Sequence, residues 1–177
     1  MSRIKERCFR LPVPCHPGTV VADYARFYFC PRSIMLYVIS RANHEDLGYR
    51  GGEEPILHLE ADFHEVVRWA GRSGRRWAFS LTNASATYAP FRGRLEDLHE
   101  VNWTAIDATD FRDRTVKEGK QAEFLLEESL PWDLVARIGV RSEAMATRVR
   151  AVLHGTGHRP EVGVLPDWYY GAWSQVP

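Results

Sequence analysis

Glu123 is the residue whose type and setting best suit catalysis. It stands where a long polar segment, residues 102–120, enters the apolar run at 124–126. Alternate side chains of a strand share a face, so we expect Gln121 and Glu123 to point the same way. A carboxylate held rigidly on a strand can stabilise a developing cation or accept a proton from an incoming nucleophile. Gln-x-Glu alone is a weak motif.

The segment 102–120 is predicted to be a long polar loop with little periodicity. Loops of this length are usually functional or disordered. From composition alone, a solvated surface loop is the better interpretation, and its exit into Glu123 is what favours a function. Its charged side chains are Arg112, Arg114, Lys117, Lys120, Asp107, Asp110, Asp113 and Glu118.

A second cluster, residues 27–33, mixes aromatic side chains with a guanidinium. Tyr28 is suited to stacking on an aromatic ring and Arg32 to pairing with phosphate. A core aromatic cluster with a surface arginine explains the same residues equally well.

Metal chemistry finds no support in the sequence. The three cysteines are widely spaced and form no CxxC pair, so we predict no structural zinc site. His58-Leu-Glu60 resembles the His-x-Glu of zinc deaminases, but no Pro-Cys-x-x-Cys follows it. We therefore expect no metal.

Composition limits the possible partners. The 23 basic residues equal the 23 acidic ones, whereas proteins that coat nucleic acid usually carry a basic excess. Any DNA contact must therefore be local. No apolar run is long enough to span a membrane, and the charged N-terminus has no signal-peptide core. We expect a cytoplasmic protein without a membrane partner.

The elements that must position these residues are short and mixed. We predict one α+β domain over 1–177, with prolines excluding regular structure across 11–18. No glycine-rich strand-to-helix turn supports a doubly wound nucleotide fold. The predicted helices are 33–40 with Ser33 as cap, 62–71 with Asp62 as cap, 95–101 and 143–154. The predicted strands are 56–60, 77–81, 123–127, 135–140 and 162–165.

Several strings together resemble the DarT family, toxins of bacterial toxin–antitoxin systems that ADP-ribosylate DNA. The combination of Tyr-Phe-x-Pro-Arg-Ser with Lys-Gln-Ala-Glu-Phe-Leu is specific. The matching strings run in the family's order: Ile4-Lys-Glu-Arg7, Phe27-Tyr-Phe-Cys-Pro-Arg-Ser33, Tyr49-Arg-Gly-Gly52, Pro55-Ile-Leu-His-Leu59, Lys117-Glu-Gly-Lys-Gln-Ala-Glu-Phe-Leu125 and Trp168-Tyr-Tyr170.

The resemblance implies an ADP-ribosyltransferase-like split fold, with two small sheets around an NAD cleft. It implies cleavage of the nicotinamide–ribose bond of NAD, used as a substrate, and transfer of ADP-ribose to a base of single-stranded DNA. Thymidine is the expected target, and a macrodomain antitoxin from the same operon is the expected partner. Residues 102–123 would then be a substrate-recognition loop leading to the catalytic Glu, and residues 1–20 the remnant of an NAD-binding element.

The family's site residues carry over position by position. Glu123 matches its catalytic carboxylate. Near the nucleotide the resemblance implies Arg7, Cys8, Tyr28 and Arg32, and near DNA it implies Met35, Lys117 and Lys120.

The sequence departs from the family at two points. The family carries an NAD-binding histidine upstream of its Ile-Lys-x-Arg string, whereas this sequence begins at that string, so we expect the N-terminal part to be missing. Cys8 stands where the family has a catalytic arginine. Both departures predict little turnover by this chain. They keep open an alternative to the enzyme hypothesis, in which the chain is a remnant that binds DNA or antitoxin without catalysis. A transferase acting on protein or RNA is a third hypothesis.

Overall fold

The structure, a computed structural model, describes residues 10–41 and 48–171 as an α+β arrangement with two small sheets. The predicted fold class is therefore confirmed. The strands are β1 Tyr24–Tyr28, β2 His58–Glu60, β3 Trp77–Ser80, β4 Phe91–Arg92, β5 Glu123–Glu127, β6 Arg137–Val140 and β7 Glu161–Val164. The α-helices are α1 Ile34–Arg41, α2 Phe63–Ser73, α3 Trp103–Asp107, α4 Arg114–Gly119 and α5 Glu143–Leu153.

The described chain divides into two compact units. Among the described residues, unit 1 comprises 10–30 and 67–130. Unit 2 comprises 31–41, 48–66 and 131–171. The backbone passes between the units three times, once within α2. A single domain over the whole chain stays a prediction.

Unit 1 holds a four-stranded antiparallel sheet in the order β1-β5-β3-β4. Strand β5, one of the two central strands, is almost entirely buried, because both faces of the sheet are covered. One face packs Leu125 and Ala78 with Val13, Val21 and Ala84. The opposite face packs Phe79 with Val101, Ile106 and Ala122. The residues of β5 therefore have fixed neighbours on either side.

Unit 2 holds the sheet β2-β6-β7, in which β2 and β6 are antiparallel and β6 and β7 are parallel. Helix α5 makes the connection between the two parallel strands, as such a pair requires. The ring of Trp168 packs on Gly139, and a Cβ on residue 139 would be 2.6 Å from that ring. This position of β6 therefore has room only for glycine. Tyr169 is fully buried and its hydroxyl donates to the carbonyls of Ile56 and Gly139.

The helix caps predicted from the sequence are confirmed. Ser33 Oγ accepts a hydrogen bond from the backbone N–H of Leu36 at the start of α1. Asp62 Oδ1 accepts one from Glu65 at the start of α2, and Val66, Val67 and Ala70 are buried at helical spacing. The predicted helix at 95–101 is a 3-10 helix, Leu95–Glu100.

The prediction of one long loop over 102–120 is wrong, because the segment contains α3 and α4. Asn102 caps α3 by accepting from Ala105, and Asp113 caps α4 by accepting from Thr115 and Val116. Helices of five and six residues are too short to display a 3.6-residue period, so the pattern gave no signal.

Two strands of unit 1, β1 and β4, were not predicted from the sequence. The two residues of β4 are too few to show alternation. The proline-rich stretch 11–18 forms turns closed by a bridge between Pro12 and Val20. Across residues 10–41 and 48–171, no helix has the length and apolar character to cross a membrane.

Candidate active site

Glu123 begins β5 and lies directly opposite Tyr28 of β1 in the antiparallel register. It is only 3% exposed, which is unusual for a glutamate. Arg26 is two residues from Tyr28 on the same strand, so both side chains share the face on which Glu123 lies. The neighbouring strand therefore brings a hydroxyl and a guanidinium to one buried carboxylate.

Among residues 10–41 and 48–171, three groups contact the Glu123 carboxylate. The guanidinium of Arg26 forms an ion pair, with 3.5 Å between Nη1 and Oε2. The backbone N–H of Ala84 donates to the same oxygen at 3.2 Å. The hydroxyl of Tyr28 also donates a hydrogen bond to this carboxylate. The backbone of Glu123 is fixed as well, since its N–H donates to Ser80 Oγ at 3.2 Å.

The pKa of Glu123 is raised, because burial disfavours its charged form. The charge of Arg26 is the largest opposing influence on this pKa, followed by the Ala84 N–H and the Tyr28 hydroxyl. Burial and the nearby carboxylate raise the pKa of Tyr28 to about 12, so its hydroxyl remains a donor. A carboxylate with a raised pKa is a better proton acceptor near neutral pH than an ordinary glutamate.

The segment after β3, residues 83–85, connects these groups. Ser85 Oγ accepts a hydrogen bond from Arg26 Nη1 at 2.8 Å, and its own N–H donates to Asn83 Oδ1. Asn83 Nδ2 donates to Gln121 Oε1 at 3.3 Å. Gln121 and Glu123 thus both contact this segment, in agreement with the expectation that they point the same way.

The two lysines predicted to contact DNA are placed very differently. Lys117 is exposed on α4. Lys120 is 3% exposed and its Nζ donates to the carbonyl of Ile106 at 2.6 Å. This placement corrects the prediction for Lys120, because an ammonium that is buried and bound to a backbone carbonyl cannot reach a phosphate.

Two further predicted residues belong to unit 2. The Arg32 guanidinium lies 4.6 Å from the centroid of the Tyr170 ring, and the Tyr170 hydroxyl donates to the Arg32 carbonyl. The buried carboxylate of Glu53 fixes this tyrosine by accepting from the N–H groups of Tyr170 and Gly171. Met35 is 51% exposed on α1. The structure therefore orients Arg32 and leaves Met35 accessible.

Sequence reasoning missed Arg26 and the Ala84 N–H, while Arg7 and Cys8 lie outside the described residues. Arg26 had a signal in the sequence. Tyr24, Arg26 and Tyr28 alternate with Ala25 and Phe27 as in a strand, which places Arg26 beside Tyr28. The Ala84 N–H had none, because only the tertiary fold directs a backbone donor.

Comparison with known proteins identifies the class. A family model described as "ssDNA thymidine ADP-ribosyltransferase, DarT" matches residues 1–170. A protein of Thermus sp. (strain 2.9) named DNA ADP-ribosyl transferase is 39% identical over 172 residues, covering 96% of this chain and 79% of that protein. The fold and the family match are those of an ADP-ribosyltransferase.

Two solved structures support the same assignment. Thermus sp. 2.9 DarT in complex with ADP-ribosylated ssDNA superposes with a TM-score of 0.84 and 38% identity, covering 94% of this chain and 78% of that one. The complex of that DarT with NAD+ gives a TM-score of 0.80 and 38% identity, covering 89% and 78%. The chain belongs to the DarT family of DNA ADP-ribosyltransferases, which confirms the predicted family, enzyme class and use of NAD+.

Proposed function

We propose that this chain transfers ADP-ribose from NAD+ to thymidine in single-stranded DNA, with Glu123 as the catalytic carboxylate. One observation carries the proposal: a DarT-family chain places a buried glutamate on a strand, held by an arginine, a tyrosine and a backbone N–H. Carboxylates are rarely buried unless they are paired, and a buried carboxylate with a shifted pKa is a candidate for a functional site.

The chemistry of the reaction explains this environment. Loss of nicotinamide leaves positive charge on the ribose, which a fixed anion stabilises. Arg26 favours the ionised form of Glu123, while burial keeps the carboxylate basic enough to take a proton from the attacking base. Tyr28 and the Ala84 N–H hold the carboxylate in one orientation, so little reorganisation is needed when charge develops.

The segment 102–123, which contains the two short capped helices α3 and α4, is proposed to recognise the substrate. Lys117 is the exposed cation of α4 nearest in sequence to Glu123, and it suits a phosphate contact. Arg32 and Met35 are proposed to contact the nucleotide and the DNA, and the two units to act as one domain. The family resemblance supports a toxin role in the cytoplasm with a macrodomain antitoxin.

The central test supplies NAD+ with oligonucleotides that contain one thymidine or none. Mass spectrometry should show an added ADP-ribose only where thymidine is present, and the Glu123→Gln variant should lose it. Glu127→Gln is the matched control, since Glu127 lies at the other end of the same strand, and it should retain activity. Modification of thymidine-free DNA, of RNA or of protein in competition would reject the thymidine assignment. No modification by the wild-type chain would favour the non-catalytic remnant.

A second test separates the two lysines. Lys117→Ala should weaken oligonucleotide binding in fluorescence anisotropy and reduce its salt dependence, because one phosphate contact is lost. Lys120→Met should instead lower the melting temperature, because the carbonyl of Ile106 loses its buried donor. Unchanged binding by Lys117→Ala would remove Lys117 from the DNA contact.

A further inference from the structure

Tyr88 is the most conspicuous exposed aromatic residue of unit 1. Its side chain is 93% exposed, and no large hydrophobic side chain within residues 10–41 and 48–171 is more exposed. A ring left almost wholly in water contributes little to the stability of the fold. Its position therefore invites a functional explanation.

The loop that carries Tyr88 is ordered by its own hydrogen bonds. Its two ends are joined by a hydrogen bond of 3.0 Å from the N–H of Leu81 to the carbonyl of Pro90. Within it, Ala86 donates to the Asn83 carbonyl at 2.9 Å and Ala89 to the Ala86 carbonyl at 3.1 Å. Two successive turns thus present the ring from a defined backbone, which lowers the entropy that a ligand contact must overcome.

The same loop is attached to the catalytic carboxylate. Its Ala84 N–H donates to Glu123 Oε2 at 3.2 Å, and Ser85 Oγ accepts from Arg26 at 2.8 Å. Tyr88 follows Ala84 by four residues, so their Cα atoms are at most about 14 Å apart. The turns shorten this span. If a base of single-stranded DNA is held at Glu123, the bases that flank it in the DNA are therefore within reach of Tyr88.

We propose that Tyr88 is a stacking platform for a nucleobase that flanks the target base in single-stranded DNA. Every base offers a π face, so an exposed aromatic ring binds single strands with little sequence preference. A tyrosine also orders only two side-chain torsions when it stacks. This proposal rests on the proposed function, and it adds a positioning residue that holds the strand rather than one that reacts.

Kinetics of four variants test the role. Tyr88→Ala should raise the KM for the oligonucleotide by about 5- to 150-fold, the usual worth of one stacked base, and leave the KM for NAD+ unchanged. Tyr88→Phe and Tyr88→Trp should stay close to wild type, because they keep an aromatic face. Val152→Ala, which removes another highly exposed apolar side chain, is the control and should change neither constant. Equal KM values for wild type and Tyr88→Ala would overturn the proposal.

A binding experiment gives an answer that does not depend on turnover. Oligonucleotides carrying 2-aminopurine at one flanking position at a time are added to the Glu123→Gln protein with Tyr88 intact or changed to Ala. Stacking should quench the fluorescence at one position with Tyr88 and not with Ala. Absence of Tyr88-dependent quenching at every position would contradict the stacking role. Quenching by a wild-type chain that modifies no DNA would retain the platform and reject the proposed activity.

Discussion

The two ends of β5 each carry a glutamate, and the pKa values of the two are shifted in opposite directions. Glu123 at the start is 3% exposed, and burial raises its pKa. Glu127 at the end accepts from the side chain and the backbone N–H of Arg76, which lowers its pKa to about 2. Both glutamates face an arginine. The difference lies in which influence is larger: burial dominates the pKa of Glu123, and hydrogen bonds from Arg76 dominate the pKa of Glu127.

We attribute this contrast to the proposed role of Glu123 in the reaction and to a structural role of Glu127. Arg76 binds Glu127 through its guanidinium, and its N–H reaches the second carboxylate oxygen, so both oxygens have donors. Arg26 reaches Glu123 at 3.5 Å and shares its Nη1 with Ser85. The donors on Glu123 do not offset the cost of its burial, since its pKa stays raised, and perturbed pKa values cluster at functional sites. Four variants break or sharpen the comparison.

Glu123→Gln should have the largest effect. Activity should fall by about 10²- to 10⁴-fold, because the negative charge and the proton acceptor are lost. Stability at neutral pH should rise, since the folded pKa of Glu123 lies above its unfolded value and ionisation therefore destabilises the fold. Melting curves of both proteins against pH measure this.

The sign of the pH dependence provides the control. The stability advantage of Glu123→Gln should shrink as pH falls through the raised pKa of Glu123 and vanish below the ordinary glutamate value near 4.5. A glutamine variant less stable than wild type at neutral pH would mean that Arg26, Ala84 and Tyr28 more than compensate the buried charge.

Arg26→Gln should have the second largest effect, a loss of activity on the order of tenfold at neutral pH, equivalent to about 1.4 kcal/mol. Removing this charge raises the pKa of Glu123 further, so the acidic limb of the pH–rate profile should move to higher pH. The kcat/KM profile checks it. Recovery at alkaline pH is expected, and an equal loss at every pH would instead indicate a direct contact between Arg26 and a substrate.

Tyr28→Phe should reduce activity by only about two- to fivefold, the worth of one hydrogen bond. The ring remains, and the lost hydroxyl is a smaller influence on the pKa of Glu123 than Arg26 is. The acidic limb should move in the same direction as in Arg26→Gln and by less. A larger movement than that of Arg26→Gln would reverse this ranking of the two neighbours.

Glu127→Gln should leave activity unchanged and affect stability alone. The depressed pKa of Glu127 means that its ion pair stabilises the fold above the ordinary value near 4.5, and that this contribution is lost as pH falls toward about 2. The variant should therefore melt at a lower temperature than wild type at neutral pH, with the gap closing in acid. A loss of kcat would contradict the division between the two ends of β5.

Much of the framework followed from local patterns. The caps at Ser33 and Asp62 and the apolar spacing of Val66, Val67 and Ala70 predicted two helices, because capping and periodicity are local properties. The two short helices inside 102–120 were not predicted, because they are shorter than the sequence window in which a helical hydrophobic period becomes visible.

The candidate site was predictable only in part. Glu123 and Tyr28 were singled out from their strings, and the family resemblance gave them roles. Lys120 was misjudged, because a lysine in a polar segment is usually exposed, whereas tertiary packing buried this one against Ile106.

The sequence by itself determined the family, the class of reaction and the position of the carboxylate, because these depend on residue types in a fixed order. Only the tertiary structure decided the state of that carboxylate. Strand pairing across about a hundred residues brings Tyr28 and Arg26 to Glu123, and a turn after β3 directs the Ala84 N–H at it. Burial and long-range register set a pKa, and neither can be read from local order.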